Sequence, residues 1–148
     1  MTYEELLATF NHQMLAGHDD RAPFLATIRN AFGQPDRSYH VIHIAGTNGK
    51  GSTGSVIVNT LRVAGYRVGY FSSPALLDER EMIRVDGQMI AKENFVDTYL
   101  ELANQLPANI HPADLTVFEW WTMIALQFFK DQHVDWAVLE CGMGGQDD

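Results

Sequence analysis

The chain is poor in cysteine, in positive charge and in long apolar runs, and each shortage excludes something. Its single cysteine, Cys141, cannot form an internal disulfide, which fits a reducing compartment, so a cytoplasmic location is expected. Ten Lys and Arg face nineteen Asp and Glu, a formal net charge of −9. A nucleic-acid backbone would be repelled overall, so no nucleic-acid partner is expected; one small anionic ligand held at a local site remains allowed. No apolar run reaches the ~18 residues of a membrane span. The opening MTYEELLATF is acidic and amphipathic and lacks the basic-then-apolar pattern of a signal peptide. No membrane partner is expected. The six histidines form no HExxH-type spacing. His40 and His43, three apart in an expected strand, point to opposite faces, so they do not make a zinc site.

What is present suits an ordinary globular domain: 148 residues, 46% hydrophobic and 20% charged. Thr2–Glu5 reads as a capping box ahead of a helix carrying Leu6, Leu7, Phe10 and Met14, with Gly17 as its stop. Pro23 suits the first turn of a second helix, with Phe24, Leu25, Ile28 and Phe32 inward and Gly33 after it. Tyr39–Ala45 is a β-branched strand. A Gly-rich turn, Gly46–Ser52, leads to a helix over Thr53–Ala64, with Val56, Ile57, Thr60, Leu61 and Ala64 on one side and Gly65 as C-cap. Arg67–Phe71 is a second strand, and Ser72–Glu81 a loop. Asp86-Gly87 between Met82–Val85 and Gln88–Ile90 signals a hairpin. Asn94–Leu106 is an amphipathic helix. A second capping box, Thr116–Glu119, opens a helix that is apolar nearly all round and so buried, Trp120 and Trp121 included. Val134–Cys141 is a third apolar strand. Strand, helix, strand, helix, strand predicts an α/β fold: a three-layer, P-loop-type parallel sheet flanked by helices, with a small β-hairpin.

The chemistry concentrates in HIAGTNGKGST, residues 43–53. Glycines 46, 49 and 51 let the backbone curl so that several N–H groups converge on anionic oxygens. The following helix adds the positive end of its dipole. Lys50 supplies a mobile cation for β- and γ-phosphates, and Ser52 or Thr53 a hydroxyl for Mg²⁺ or a phosphate oxygen. The pattern is not the literal G-x-x-x-x-G-K-[ST]: Gly46 to Gly49-Lys50 is two residues shorter, and Gly51 follows the lysine. It is not G-x-G-x-x-G either, which disfavours a dinucleotide. Glu140 is a second candidate. A carboxylate at the C-terminal end of a buried parallel strand lies where α/β sheets place ligands, and its oxygens suit a hard cation.

Three stretches in this order, AGTNGKGS (45–52), GYFSSP (69–74) and VLECGMGGQDD (138–148), resemble the folylpolyglutamate synthase/dihydrofolate synthase family of the Mur ligase superfamily. The resemblance runs over essentially the whole chain. It implies ATP-dependent amide ligation: a carboxylate of a folate or dihydropteroate is phosphorylated to an acyl phosphate, which the amine of L-glutamate attacks. It implies ATP and Mg²⁺ as cofactors and a nucleotide site at Gly46, Thr47, Asn48, Gly49, Lys50, Gly51, Ser52 and Thr53, with Lys50 on the phosphates. Ser73 and Glu140 become the implied metal ligands.

Within the resemblance some positions differ. Arg80-Glu81-Met82 aligns with the family's Asn-Glu-Arg, so Met82 replaces an arginine for which Arg80 or Arg84 is the candidate substitute. Cys141 and Gln146 are also departures; Asp148 matches the start of the next motif. The rest of that motif, a later histidine ligand, the modified lysine and a C-terminal domain are expected beyond Asp148. Residues 1–148 are therefore read as the N-terminal part of an ATP-binding domain, and the 148 residues alone as inactive in ligation. Two alternatives stay open: a small self-contained P-loop kinase or NTPase, and a non-catalytic nucleotide-binding module.

Overall fold

The computed structural model describes residues 1–10, 21–44, 50–72 and 77–140. In chain order the elements are α1 (Tyr3–Phe10), α2 (Ala22–Ala31), β1 (His40–Ile44), α3 (Lys50–Val63), β2 (Val68–Ser72), β3 (Ile83–Val85), β4 (Gln88–Met89), α4 (Lys92–Asn104), α5 (Val117–Asp131) and β5 (Trp136–Glu140). Their contacts divide the chain into two units, Met1–Pro35 with Ala91–Phe128, and Asp36–Ile90 with Phe129–Asp148.

The first unit is helical. Thr2 and Glu5 form the expected capping box: the Thr2 N–H donates to Glu5 Oε1 (2.8 Å) and the Glu5 N–H to Thr2 Oγ1 (3.1 Å). Met14 and Gly17, expected at the end of that helix, lie outside the described residues. Pro23 sits in the first turn of α2, and Gly33 follows the helix with a φ of 78°. The core is aromatic. Trp120 is fully buried, stacks on Phe10 at 6.4 Å and meets Tyr99 at 4.6 Å. Trp121 meets Phe95 at 4.5 Å. The indole N–H of Trp120 donates to the Pro112 carbonyl (2.9 Å), as a buried indole requires. Both tryptophans are packing residues, as the apolar periphery of α5 predicts.

The second unit carries the sheet, in the order β1-β5-β2-β3-β4. β5 runs parallel to both β1 and β2; β3 and β4 add an antiparallel hairpin. Asp86 (φ 50°) and Gly87 (φ 87°) make its two-residue turn, both in the left-handed region that such a turn demands. Asp86 also anchors the hairpin, accepting the Val68 N–H at Oδ1 (3.0 Å) and Arg67 Nη1 at Oδ2 (3.2 Å). One sheet face holds Ile42, Ile44, Val68, Tyr70 and Val138, packed with Ile57, Val58 and Leu61 of α3. On the other face Gly69 receives the Phe129 ring: an added Cβ would lie 2.6 Å from it.

Two sequence expectations need correction. α3 starts at Lys50, not Thr53, so Lys50, Gly51 and Ser52 belong to the first helical turn, where backbone N–H groups lack intrahelical partners. Its expected inward face is met only in part: Ile57 and Leu61 pack on the sheet as expected, but Val56 is 63% exposed, and among the described residues of the helix the buried positions are Gly54 and Val58. The β-branched and apolar residues of this helix spread around its circumference, so periodicity alone does not choose a face. The close approach at Gly54 does.

Candidate active site

The parallel strands set the site. Glu140 pairs in register with Ile44 of β1 on one side and Ser72 of β2 on the other. Strands β1, β2 and β5 therefore end at one level, at Ile44, Ser72 and Glu140. The first of the three stretches singled out by sequence starts just after Ile44, and the other two contain Ser72 and Glu140. Gly46, Thr47, Asn48, Gly49, Ser73 and Cys141 lie outside the described residues. Lys50, Gly51 and Ser52 are placed as the opening residues of α3, and Thr53 is exposed in its first turn. The strand–turn–helix arrangement expected for a phosphate loop is thus present in its two flanking elements.

Glu140 is the described site residue with the most telling surroundings. It ends β5 and is only 2% exposed. Tyr70, on the same sheet face, donates its hydroxyl to Glu140 Oε1. Glu140 Oε2 is buried and has no hydrogen-bond partner among the described residues. A buried carboxylate oxygen without a partner is costly, and a hard cation is a natural partner for it. Burial pushes the Tyr70 phenol up to about 12; its hydrogen bond to Glu140 and that residue's charge act in the same direction, while the Ser55 and Ser72 hydroxyls oppose them. The phenol is therefore a donor at neutral pH.

Sequence reasoning missed Tyr70 and Gly54. Tyr70 lies two positions before Ser72 in a strand, hence on the same face as Glu140. Gly54 lies inside a helix, where glycine is unfavourable by about 1 kcal/mol. A Cβ there would collide with the Tyr70 hydroxyl and lie 2.7 Å from Glu140 Oε1. Those two oddities were the available signal.

Other candidates are occupied elsewhere. Arg80 binds Asp78 Oδ2 through Nη2 (2.8 Å) and the Ile90 carbonyl through Nη1 (3.2 Å). Arg84 Nε donates to the Glu81 carbonyl (2.7 Å). Both arginines thus fasten their own loop and hairpin. Glu119 completes its capping box with Thr116 (2.9 and 3.1 Å), and both its oxygens also accept from Arg21. Among the described residues no group of three or more His, Cys, Asp or Glu is arranged to hold a metal, and no helix is long and apolar enough to cross a membrane.

No family model matches the chain, but individual proteins do. A folylpolyglutamate synthase of Lacticaseibacillus casei is 33% identical over 155 residues, spanning 100% of this chain and 35% of that protein. One from Arabidopsis thaliana is 40% identical over 111 residues, 74% of this chain and 19% of that protein. The structure of a bifunctional folylpolyglutamate synthase/dihydrofolate synthase with Mn, AMPPNP and L-glutamate bound matches with a TM-score of 0.85 at 29% identity, over 98% of this chain and 34% of that one. The chain therefore spans about a third or less of the length of these relatives. In sequence and in fold it belongs to the folylpolyglutamate synthase/dihydrofolate synthase family.

Proposed function

We propose that this chain supplies the nucleotide-phosphate and metal-binding part of a ligase that joins L-glutamate to the carboxylate of a folate or dihydropteroate at the expense of ATP. The observation that carries the reading is the common sheet edge. β1, β5 and β2 end in register at Ile44, Glu140 and Ser72, and Glu140 holds a buried oxygen without a partner among the described residues. The family relationship supports it, because a structurally similar relative binds AMPPNP, Mn and L-glutamate.

In this reading Lys50 and the backbone N–H groups of residues 46–53 hold the β- and γ-phosphates of ATP. Glu140 and Ser73 are the residues that would hold Mg²⁺. When bound, Mg²⁺ neutralises phosphate charge and polarises the transferring phosphoryl group. The substrate carboxylate takes the γ-phosphoryl group, giving an acyl phosphate and ADP. The glutamate amine then adds to the acyl carbon, inorganic phosphate leaves with its electron pair, and the amide remains after the nitrogen loses a proton. The protein's work is alignment and charge neutralisation. Residues 1–148 are assigned to the N-terminal part of an ATP-binding domain acting in the cytoplasm. Because the chain spans 35% of the Lacticaseibacillus casei relative, ligation is assigned to a protein carrying this chain; the 148 residues alone are expected to bind nucleotide weakly and form no amide.

The test is ligation assayed by mass spectrometry with ATP, Mg²⁺, a pteroate or folate substrate and glutamate, in a protein carrying this chain. Lys50→Ala should lower turnover by roughly 30- to 1,000-fold, corresponding to about 2–4 kcal/mol of lost charge-assisted phosphate binding. Near-normal turnover would remove Lys50 from the phosphate site.

A further inference from the structure

Tyr70 stands on a sheet face whose neighbours are Val58, Val68 and Val138. For packing alone, phenylalanine or leucine would serve there. The hydroxyl instead sits with the Ser55 and Ser72 hydroxyls and is donated to Glu140 Oε1. The helix above is shaped around this pair: Gly54 of α3 has no room for even a methyl group, because a Cβ would strike Tyr70 Oη and crowd Glu140 Oε1 at 2.7 Å. A strand tyrosine, a strand-end glutamate and a helix-interior glycine, drawn from three elements, thus make one fitted unit.

We propose that Tyr70 is a positioning residue for the carboxylate of Glu140: by occupying one lone pair of Oε1 and fixing the group's orientation, it makes Oε2 the more open oxygen for a divalent cation. The inference rests on the reading of Glu140 as a metal ligand. A carboxylate with both oxygens available can grip a cation with two, a mode that suits the larger, loosely coordinated Ca²⁺; one with a single oxygen available suits the smaller, octahedral Mg²⁺. Tyr70 therefore fixes the carboxylate and biases the site against Ca²⁺. Partners that orient a ligand from behind commonly contribute 10- to 100-fold to metal affinity.

The experiment uses the protein with ADP present. Mn²⁺ affinity is read by electron paramagnetic resonance of the free ion, and Mg²⁺ and Ca²⁺ affinities by competition. Tyr70→Phe should weaken Mn²⁺ and Mg²⁺ binding about 10-fold and weaken Ca²⁺ binding less, so the Mg²⁺/Ca²⁺ ratio falls; a purely structural role for the hydroxyl would leave that ratio alone. Glu140→Gln is measured beside it. If Glu140→Gln abolishes Mn²⁺ binding while Tyr70→Phe stays within twofold of the wild type with an unchanged ratio, the positioning role is wrong and the metal reading survives. If Glu140→Gln itself leaves Mn²⁺ binding intact, the metal reading falls and the proposal with it. Should Tyr70→Phe not fold, Gly54→Ala reaches the same pair from the helix side. It should weaken Mn²⁺ binding and lower the same ratio, and wild-type values there would overturn the proposal.

Discussion

Two buried glutamates, Glu119 in the helical unit and Glu140 in the sheet unit, have opposite fates. Glu119, 9% exposed, is saturated by its own chain. Its Oε1 accepts from Arg21 Nη2 (2.7 Å) and the Thr116 N–H (2.9 Å), and its Oε2 from Arg21 Nε (2.9 Å). Glu140, 2% exposed, receives one hydroxyl at Oε1, and its Oε2 has no partner among the described residues. Burial is therefore no guide to function here; hydrogen-bond accounting is. A carboxylate whose acceptors are all filled holds structure together. One with a buried acceptor that no described residue fills is the candidate for binding something else.

The sharpest way to break that contrast is Glu140→Gln. The amide keeps the shape and can still accept from Tyr70, but loses the charge a hard cation prefers. Metal affinity should fall by more than about 100-fold, beyond the usual effect of a residue that only orients a ligand. Without metal, the melting temperature should hold or rise, because a buried charge has been removed. A Mg²⁺ titration and a thermal melt, run together, decide it: a destabilised protein with normal Mg²⁺ dependence would make Glu140 a second Glu119.

Glu119→Ala should do the reverse. It removes the reciprocal half of the capping box, leaving the Thr116 N–H without its acceptor, and strands Arg21, whose side chain is 23% exposed. Stability should drop by roughly 2–3 kcal/mol in urea unfolding, with metal affinity unchanged. Glu119→Gln, which retains a capping acceptor, should lose less. Equal losses in the two variants would mean that the charge pair, not the cap, dominates.

Gly54→Ala comes next. Collision with the Tyr70–Glu140 pair should destabilise by about 1–3 kcal/mol, offset by a helix-propensity gain of up to about 1 kcal/mol. A net stabilisation would show that the pair yields easily and that the fit described above is loose.

The smallest effect sets a baseline away from both carboxylates. Tyr39 is pushed well above its ordinary value of 10.0, by burial first and then by the charge of Asp36. Its folded state therefore holds the phenolic proton more tightly than the unfolded chain does. That contribution is fully present below about pH 10 and fades as pH rises toward the folded value. Alkaline melts should show the wild type losing stability above pH 10, and Tyr39→Phe losing less. Parallel curves would mean that Tyr39 ionises without resistance.

Much of the fold was legible locally. Both capping boxes, the Asp86-Gly87 turn, Pro23 in a first turn and the all-round apolar α5 each depend on residues within a few positions of one another. The strand and the helix that flank residues 45–49 were legible for the same reason, each being a run of consecutive residues. The inward face of α3 was not, since Val56, Ile57, Val58 and Leu61 offer more than one apolar stripe. The Arg21–Glu119 pair was not either, because nothing local in residue 21 points to a partner 98 positions away.

Alone, the sequence determined the kinds of element, their order, a lysine between a strand and the body of a helix, and a strand that carries Glu140 at its end. It did so because backbone preferences and hydrophobic periodicity act over one or two turns of chain. Only the tertiary structure placed β5 between β1 and β2, and so brought Ile44, Ser72 and Glu140 into one row. Only there does Tyr70 find Glu140, 70 residues away, and only there does Gly54 become necessary. Which side chains meet across a sheet depends on register and on helix approach, and both are settled by packing of the whole rather than by any local run of residues.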